Sequence, residues 1–178
     1  MPNHTSNRLT LRGSNAEVAR FIEDNKGEEE SLSFENSLPT PSEMIGNNKI
    51  TKAGMPDTKW DAYDCMGWVN PAPEGRSPTE EDRLNWLHLN WNMETPNVLG
   101  FYTAWSPPVP WLVAVSEKYE LEFMLEYADE GGGFCGYVIV SRGGVTKDSD
   151  FPWDSLDGKE LRGSLGYGHD EEGEEDEV

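Results

Sequence analysis

The sequence predicts an α+β domain: an antiparallel sheet with two helices on one face, plus a further helix inserted between its halves. Three observations carry that prediction. Strand-like alternation and helix-like spacing follow one another twice, once near the amino end and once after residue 97. Leu121, Phe123, Leu125 and Tyr127 alternate cleanly with Glu122, Met124 and Glu126, the clearest strand in the chain. Seven Trp, six Tyr and six Phe supply core material that a disordered chain lacks. At 178 residues there is room for one ordinary domain, and the 35% hydrophobic share implies flexible segments around it.

The elements follow in order. Asn7 to Arg12 reads as a strand with Leu9 and Leu11 on one face, ended by Gly13. Ser14 opens a helix, and Glu17 three positions later completes a capping box. Val18, Phe21 and Ile22 give that helix one apolar stripe, and Gly27 stops it. Leu32 and Phe34 alternate with polar neighbours, so Ser31 to Glu35 is expected as a second strand.

Pro, Asn, Gly and Ser dominate residues 39–56, which reads as a long loop, and Pro71, Pro73, Gly75 and Pro78 mark a second. Thr79 can cap an inserted helix from Glu80 to about Trp91, with Leu84, Leu87 and Trp91 along one side and acids in its first turn. Val98 to Tyr102 is a strand, and Ala104-Trp105-Ser106-Pro107-Pro108 is a rigid turn. Pro110 sits acceptably at the start of a short helix from Trp111 to Tyr119. After the strand over 121–127, Gly131-Gly132-Gly133 turns the chain into a further strand, Phe134 to Val140. Two strand-helix-strand units in one small domain amount to a split ferredoxin-like sandwich. The expected domain is 1–145, interrupted at about 39–97. An irregular extension over 146–162 and an acidic, disordered tail over 163–178 are expected to follow.

Three pieces carry a resemblance. The first is Pro2-Asn3-His4 followed by Asn7-Arg8-Leu9-Thr10-Leu11 and Gly13. The second is Lys59-Trp60-Asp61-Ala62-Tyr63-Asp64, and the third is Thr103-Ala104-Trp105-Ser106-Pro107-Pro108 with Glu130, Gly131, Phe134 and Gly136 downstream. In these pieces the chain resembles the YubB ferredoxin-like family of bacteriophage and plasmid proteins, which has no assigned biochemical activity. The likeness spans roughly residues 1–38, 59–64 and 98–140. It implies a split ferredoxin-like fold and a mobile-element context, and it brings no catalytic residue. The insertion between Cys65 and Asn97 and the acidic extension depart from the family pattern.

Charge narrows the choice of partner. The formal charge is −20, and the seven acids of the tail leave −13 in the rest. Such a surface repels nucleic acid, whose binding rests on neutralising phosphates, and suits basic protein surfaces. Solubility alone is the plainer use of the same charge. Cys65 and Cys135 form neither a disulfide framework nor a zinc signature and read as reduced thiols. Without a signal-peptide pattern or an apolar run of membrane length, a soluble protein of the host cytoplasm is expected.

No motif for catalysis emerges. His4, His88 and His169 have no partner at ligand spacing, and only a fold could bring His4 to Asp61 or Asp64. The glycine run joins two strands, so no helix start awaits an anion. Neither a metal, a cofactor nor a catalytic residue is expected. The candidate partner-binding residues are Trp60, Asp61, Tyr63, Asp64 and Trp105, with Asp170, Glu171, Glu172, Glu174 and Glu175 in the tail. Aromatic anchors beside charge have the composition of a binding hot spot, yet the same residues serve as a core plug with capping carboxylates. The expected function is inhibition of a host protein through its basic surface, with an acidic surface standing in for nucleic acid. A self-associating structural module and a small enzyme are the alternatives.

Overall fold

A computed structural model describes residues 3–39, 61–69 and 96–167. Its elements are β1 (His4–Arg12), α1 (Asn15–Asp24), α2 (Phe34–Ser37), β2 (Val98–Ala104), α3 (Val109–Ser116), β3 (Glu122–Asp129), β4 (Cys135–Ser141), β5 (Gly144–Asp150) and α4 (Leu156–Ser164). The strands form one antiparallel sheet in the order β2-β1-β3-β4-β5. Among the described residues no helix is long and apolar enough to cross a membrane.

β1 pairs along its length with β2 on one edge and with β3 on the other. Leu9 sits opposite Leu99 of β2 and Leu125 of β3, and all three are buried. β2 and β3 both run against β1 and therefore parallel to each other, and α3 makes the connection that this requires. The Ser14 hydroxyl accepts the Glu17 N–H, starting α1 where the capping box predicts. Val18 and Phe21 of α1 and Trp111, Leu112 and Val115 of α3 bury against Leu9, Leu11, Phe123 and Leu125. Two helices therefore cover one face, as the spacing predicts. Phe21 meets Phe123 at 5.3 Å and Tyr119 at 5.1 Å between ring centroids. Edge-to-face pairs of this kind add about 0.5–1.5 kcal/mol each beyond the area they bury.

The strand expected at Ser31–Glu35 is absent, and α2 begins at Phe34 instead. Tight local bonding wins over alternation there. Gly27 donates to the Glu30 carbonyl and Ser33 to the Asn25 carbonyl, folding the chain back, and Leu32 and Phe34 enter the same core. Residues 63–69 take the vacant position at the sheet edge. Tyr63 bridges Tyr102, Val69 bridges Val98, and the Met66 N–H donates to the Gly100 carbonyl. Segment 63–69, β2, β1 and β3 thus reproduce the four-place order of a ferredoxin-like sheet, and β4 and β5 extend it.

The carboxyl-terminal region is also more ordered than its composition predicts. β5 and α4 occupy most of the expected irregular extension, and Leu165 and Tyr167 pack beyond residue 163. β5 is a polar edge strand held mainly by its backbone ladder, so it has little hydrophobic signal. Its hairpin turn, Arg142-Gly143, has both residues at positive φ (+50° and +76°), as a two-residue turn requires. α4 lies on the sheet face opposite α1 and α3, with Leu161 and Leu165 against Ala128 and Cys135. The expected loop beyond Pro39, the helix over 80–91 and the part of the acidic tail beyond Tyr167 lie outside the described residues.

Candidate functional site

The start of β1 and the end of β2 gather the aromatic residues that the sequence singles out. His4 sits opposite Ala104, and the Tyr63 bridge to Tyr102 places both tyrosines beside it. His4 Nδ1 and the Tyr63 hydroxyl form a hydrogen bond, and the His4 ring stands edge-on to Tyr102 at 6.3 Å. The Tyr63 and Tyr102 rings lie 6.0 Å apart. Tyr167 closes the group from beyond α4, its hydroxyl donating to the His4 carbonyl at 3.2 Å. Glu130 ties the strand end from the other side, accepting the His4 N–H at 2.8 Å. His4 therefore meets Tyr63 rather than either nearby aspartate.

Burial, then the charges of Glu130 and Asp64, push the Tyr63 phenol up to about 12. Tyr167 moves the same way, chiefly through burial. These phenols are neutral at physiological pH and act here as hydrogen-bonding struts. The thiols are neutral too: burial and a hydrogen bond with Glu30 push Cys65 up to about 12, and burial raises Cys135. A protonated thiol is a poor nucleophile. Among the described residues no group of three or more His, Cys, Asp or Glu is placed to hold a metal ion.

The predicted site residues separate into different roles. Asp61 is structural: Oδ1 accepts the Phe34 N–H at 2.6 Å and Oδ2 accepts the Ser33 hydroxyl at 2.7 Å. Tyr63 is bound into the aromatic group. Asp64 is exposed, at a φ of +47°, and lines a groove on the α4 side of the sheet. Trp105 turns the corner after β2 at a φ of +74°, its N–H donating to the Asn3 carbonyl, and is 45% exposed. The fold thus brings Tyr63 and Trp105 to the same end of the sheet. Trp60, Asp170, Glu171, Glu172, Glu174 and Glu175 lie outside the described residues.

Sequence reasoning missed His4, Tyr102 and Tyr167 as partners of Tyr63. The alternation of β2 could have placed Tyr102 opposite the Leu99 face, whereas Tyr167 has no signal in a segment expected to be disordered. It also missed Met66 and Val69, which are 66% and 53% exposed. Charge is divided as well. The described residues hold twenty acids and nine bases, a net of −11. Several acids are engaged internally: Glu126 with Arg8, Glu122 with Arg12, Glu30 with the Cys65 N–H and Asp150 with the Tyr127 hydroxyl.

Neither the curated proteins nor the solved structures contain a match to the chain. The family described as the ferredoxin-like domain in Api92-like protein matches residues 87–176, half of the chain. That range takes in β2, α3, β3, β4, β5 and α4, while β1, α1 and α2 lie before it. The chain belongs to the family of the ferredoxin-like domain in Api92-like protein.

Proposed function

We propose that the chain is a phage or plasmid accessory protein that binds and inhibits a host protein, one that itself handles nucleic acid in a defence system such as CRISPR or restriction. The mechanism is steric and electrostatic, with carboxylates occupying Arg and Lys positions that otherwise hold phosphates. The observation that carries the reading is the acid excess of the described residues, a net of −11. Internal ion pairs do not remove that net charge. The exposed Trp105, at the same end of the sheet as Tyr63, offers the aromatic anchor that binding hot spots favour. The resemblance to YubB-like proteins supplies the mobile-element context, and the protonated thiols favour binding over nucleophilic chemistry.

The test is affinity capture from host lysate with the full chain and with a chain ending at Tyr167. The reading expects one dominant host protein, released as salt rises. Capture that persists unchanged at ~1 M salt, where screening is nearly complete, contradicts the electrostatic mechanism. Absence of any captured protein contradicts the reading as a whole.

One observation favours a second reading, self-association through the sheet. The outer edge of β5 carries no strand partner among the described residues, and Val145 on it is 47% exposed. Lys147, Asp148 and Asp150 place charge along the same strand, which discourages edge-to-edge pairing. A mass by size-exclusion chromatography that stays monomeric over a wide concentration range removes this second reading.

A further inference from the structure

We infer that the groove between residues 64–69 and the carboxyl end of α4 is a docking site for a lysine or arginine side chain, presented by an extended segment of a protein partner. The inference rests on the proposed function and deepens it by naming where the basic partner is held.

The groove is about 490 Å³, room for one or two long side chains. Tyr102 and Gly100 of β2 form its floor, Met66 and Val69 one wall and Gly163 to Gly166 the other. Its width comes from missing side chains. A Cβ added at Gly67, Gly163 or Gly166 would meet nothing within 4 Å, and one at Gly100 would come within 3.1 Å of the Met66 sulfur. Met66 and Val69 stand 66% and 53% exposed along this channel. The flexible, polarisable Met66 side chain suits a surface that moulds itself to an incoming segment.

Charge selects the occupant. Two charged residues line the groove, Arg8 and Asp64. Arg8 is already neutralised, its Nε donating to buried Glu126 at 2.5 Å and its Nη1 to the Ser164 carbonyl at 3.2 Å. Asp64 is exposed and has no ion pair among the described residues, so the charge left over is negative. A long cationic side chain matches both features. Its methylenes lie along Met66 while its head reaches Asp64, and Val69 receives an apolar neighbour of the same segment. An acidic or wholly apolar segment matches only one of them.

Fluorescence anisotropy of a labelled peptide of alternating Leu and Lys, with a Leu and Glu peptide as control, tests the site on the full chain. Two variants report on it. Asp64→Asn removes the charge with a residue that tolerates positive φ. Gly163→Phe fills the groove from an open position. The expected result is lysine-peptide binding weakened about tenfold by each variant, with the Met66 methyl NMR signal shifting only in the unmodified chain. A melting curve by circular dichroism confirms that each variant folds. Equal binding by both variants and the unmodified chain overturns the groove, as does equal binding of the two peptides. If that binding remains salt-sensitive, the acidic-surface reading stands without the groove. If the lysine peptide does not bind at all, the groove fails, and lysate capture decides the function separately.

Discussion

Asp61 closes the amino end of α2 from 27 positions away, its Oδ1 2.6 Å from the Phe34 nitrogen. The same carboxylate accepts the Ser33 hydroxyl and the Ala62 N–H, so one side chain pins the 61–69 edge segment to the turn before α2. Replacing it leaves partly buried donors without an acceptor. Asp61→Ala is expected to cost about 1–2 kcal/mol in urea unfolding, and Asp61→Asn less. An unchanged midpoint would contradict the capping role.

Arg8 and Glu126 form a pair under α4, with the Glu126 side chain fully buried. Removing one partner strands the other charge. Glu126→Ala is expected to destabilise by about 3–5 kcal/mol, whereas Arg8→Met combined with Glu126→Leu recovers most of that loss. Thermal melts of the single and double variants check this.

Arg162 is 2% exposed, lies 3.9 Å over the Trp153 ring and donates to the Trp153 carbonyl. Among the described residues its cost of burial is met by the ring and one carbonyl rather than by a carboxylate. Arg162→Ala is expected to lose about 2 kcal/mol or more and to expose the ring, read as a red shift in tryptophan emission.

Alkali should unfold the chain. Cys65 moves from 9.0 and Tyr63 from 10.0 to about 12 in the folded state, and Tyr127 and Tyr167 shift in the same direction. Each raised value means that the folded chain holds its proton longer than the unfolded one. The resulting stability is complete below the unfolded values and is lost as pH rises through the folded ones. Urea midpoints are expected to be flat up to about pH 9 and to fall toward pH 12, with Cys65→Ala delaying the onset. A midpoint constant across that window would contradict the burial of these groups.

Gly163 sits inside α4 with open space where a Cβ would be. Gly163→Ala is therefore expected to raise stability by about 0.5–1 kcal/mol in urea unfolding.

What the sequence made legible follows its hydrophobic signal. β3, β4, α1 and α3 announce themselves because apolar residues of the main core recur in them at short, regular spacing, as from Leu121 to Tyr127. β5 and α4 escaped notice because a backbone ladder holds Gly144 to Asp150 and a few side chains, Leu161, Arg162 and Leu165, hold the helix. Phe34 misled for the opposite reason, since alternation with Leu32 resembled a strand while both side chains entered one core. The aromatic group was half legible. Tyr63 and Trp105 stood out by composition, but their placement at one end of the sheet, against His4 and Asn3 respectively, depends on long-range pairing that spacing does not encode.

The most direct test of a charge-directed binder is the salt dependence of affinity for the captured host protein, measured with the purified pair. The account predicts that Kd rises by at least about tenfold as ionic strength goes from ~0.05 to ~0.5 M, because screening removes the attraction. A Kd that is flat across that range would contradict it.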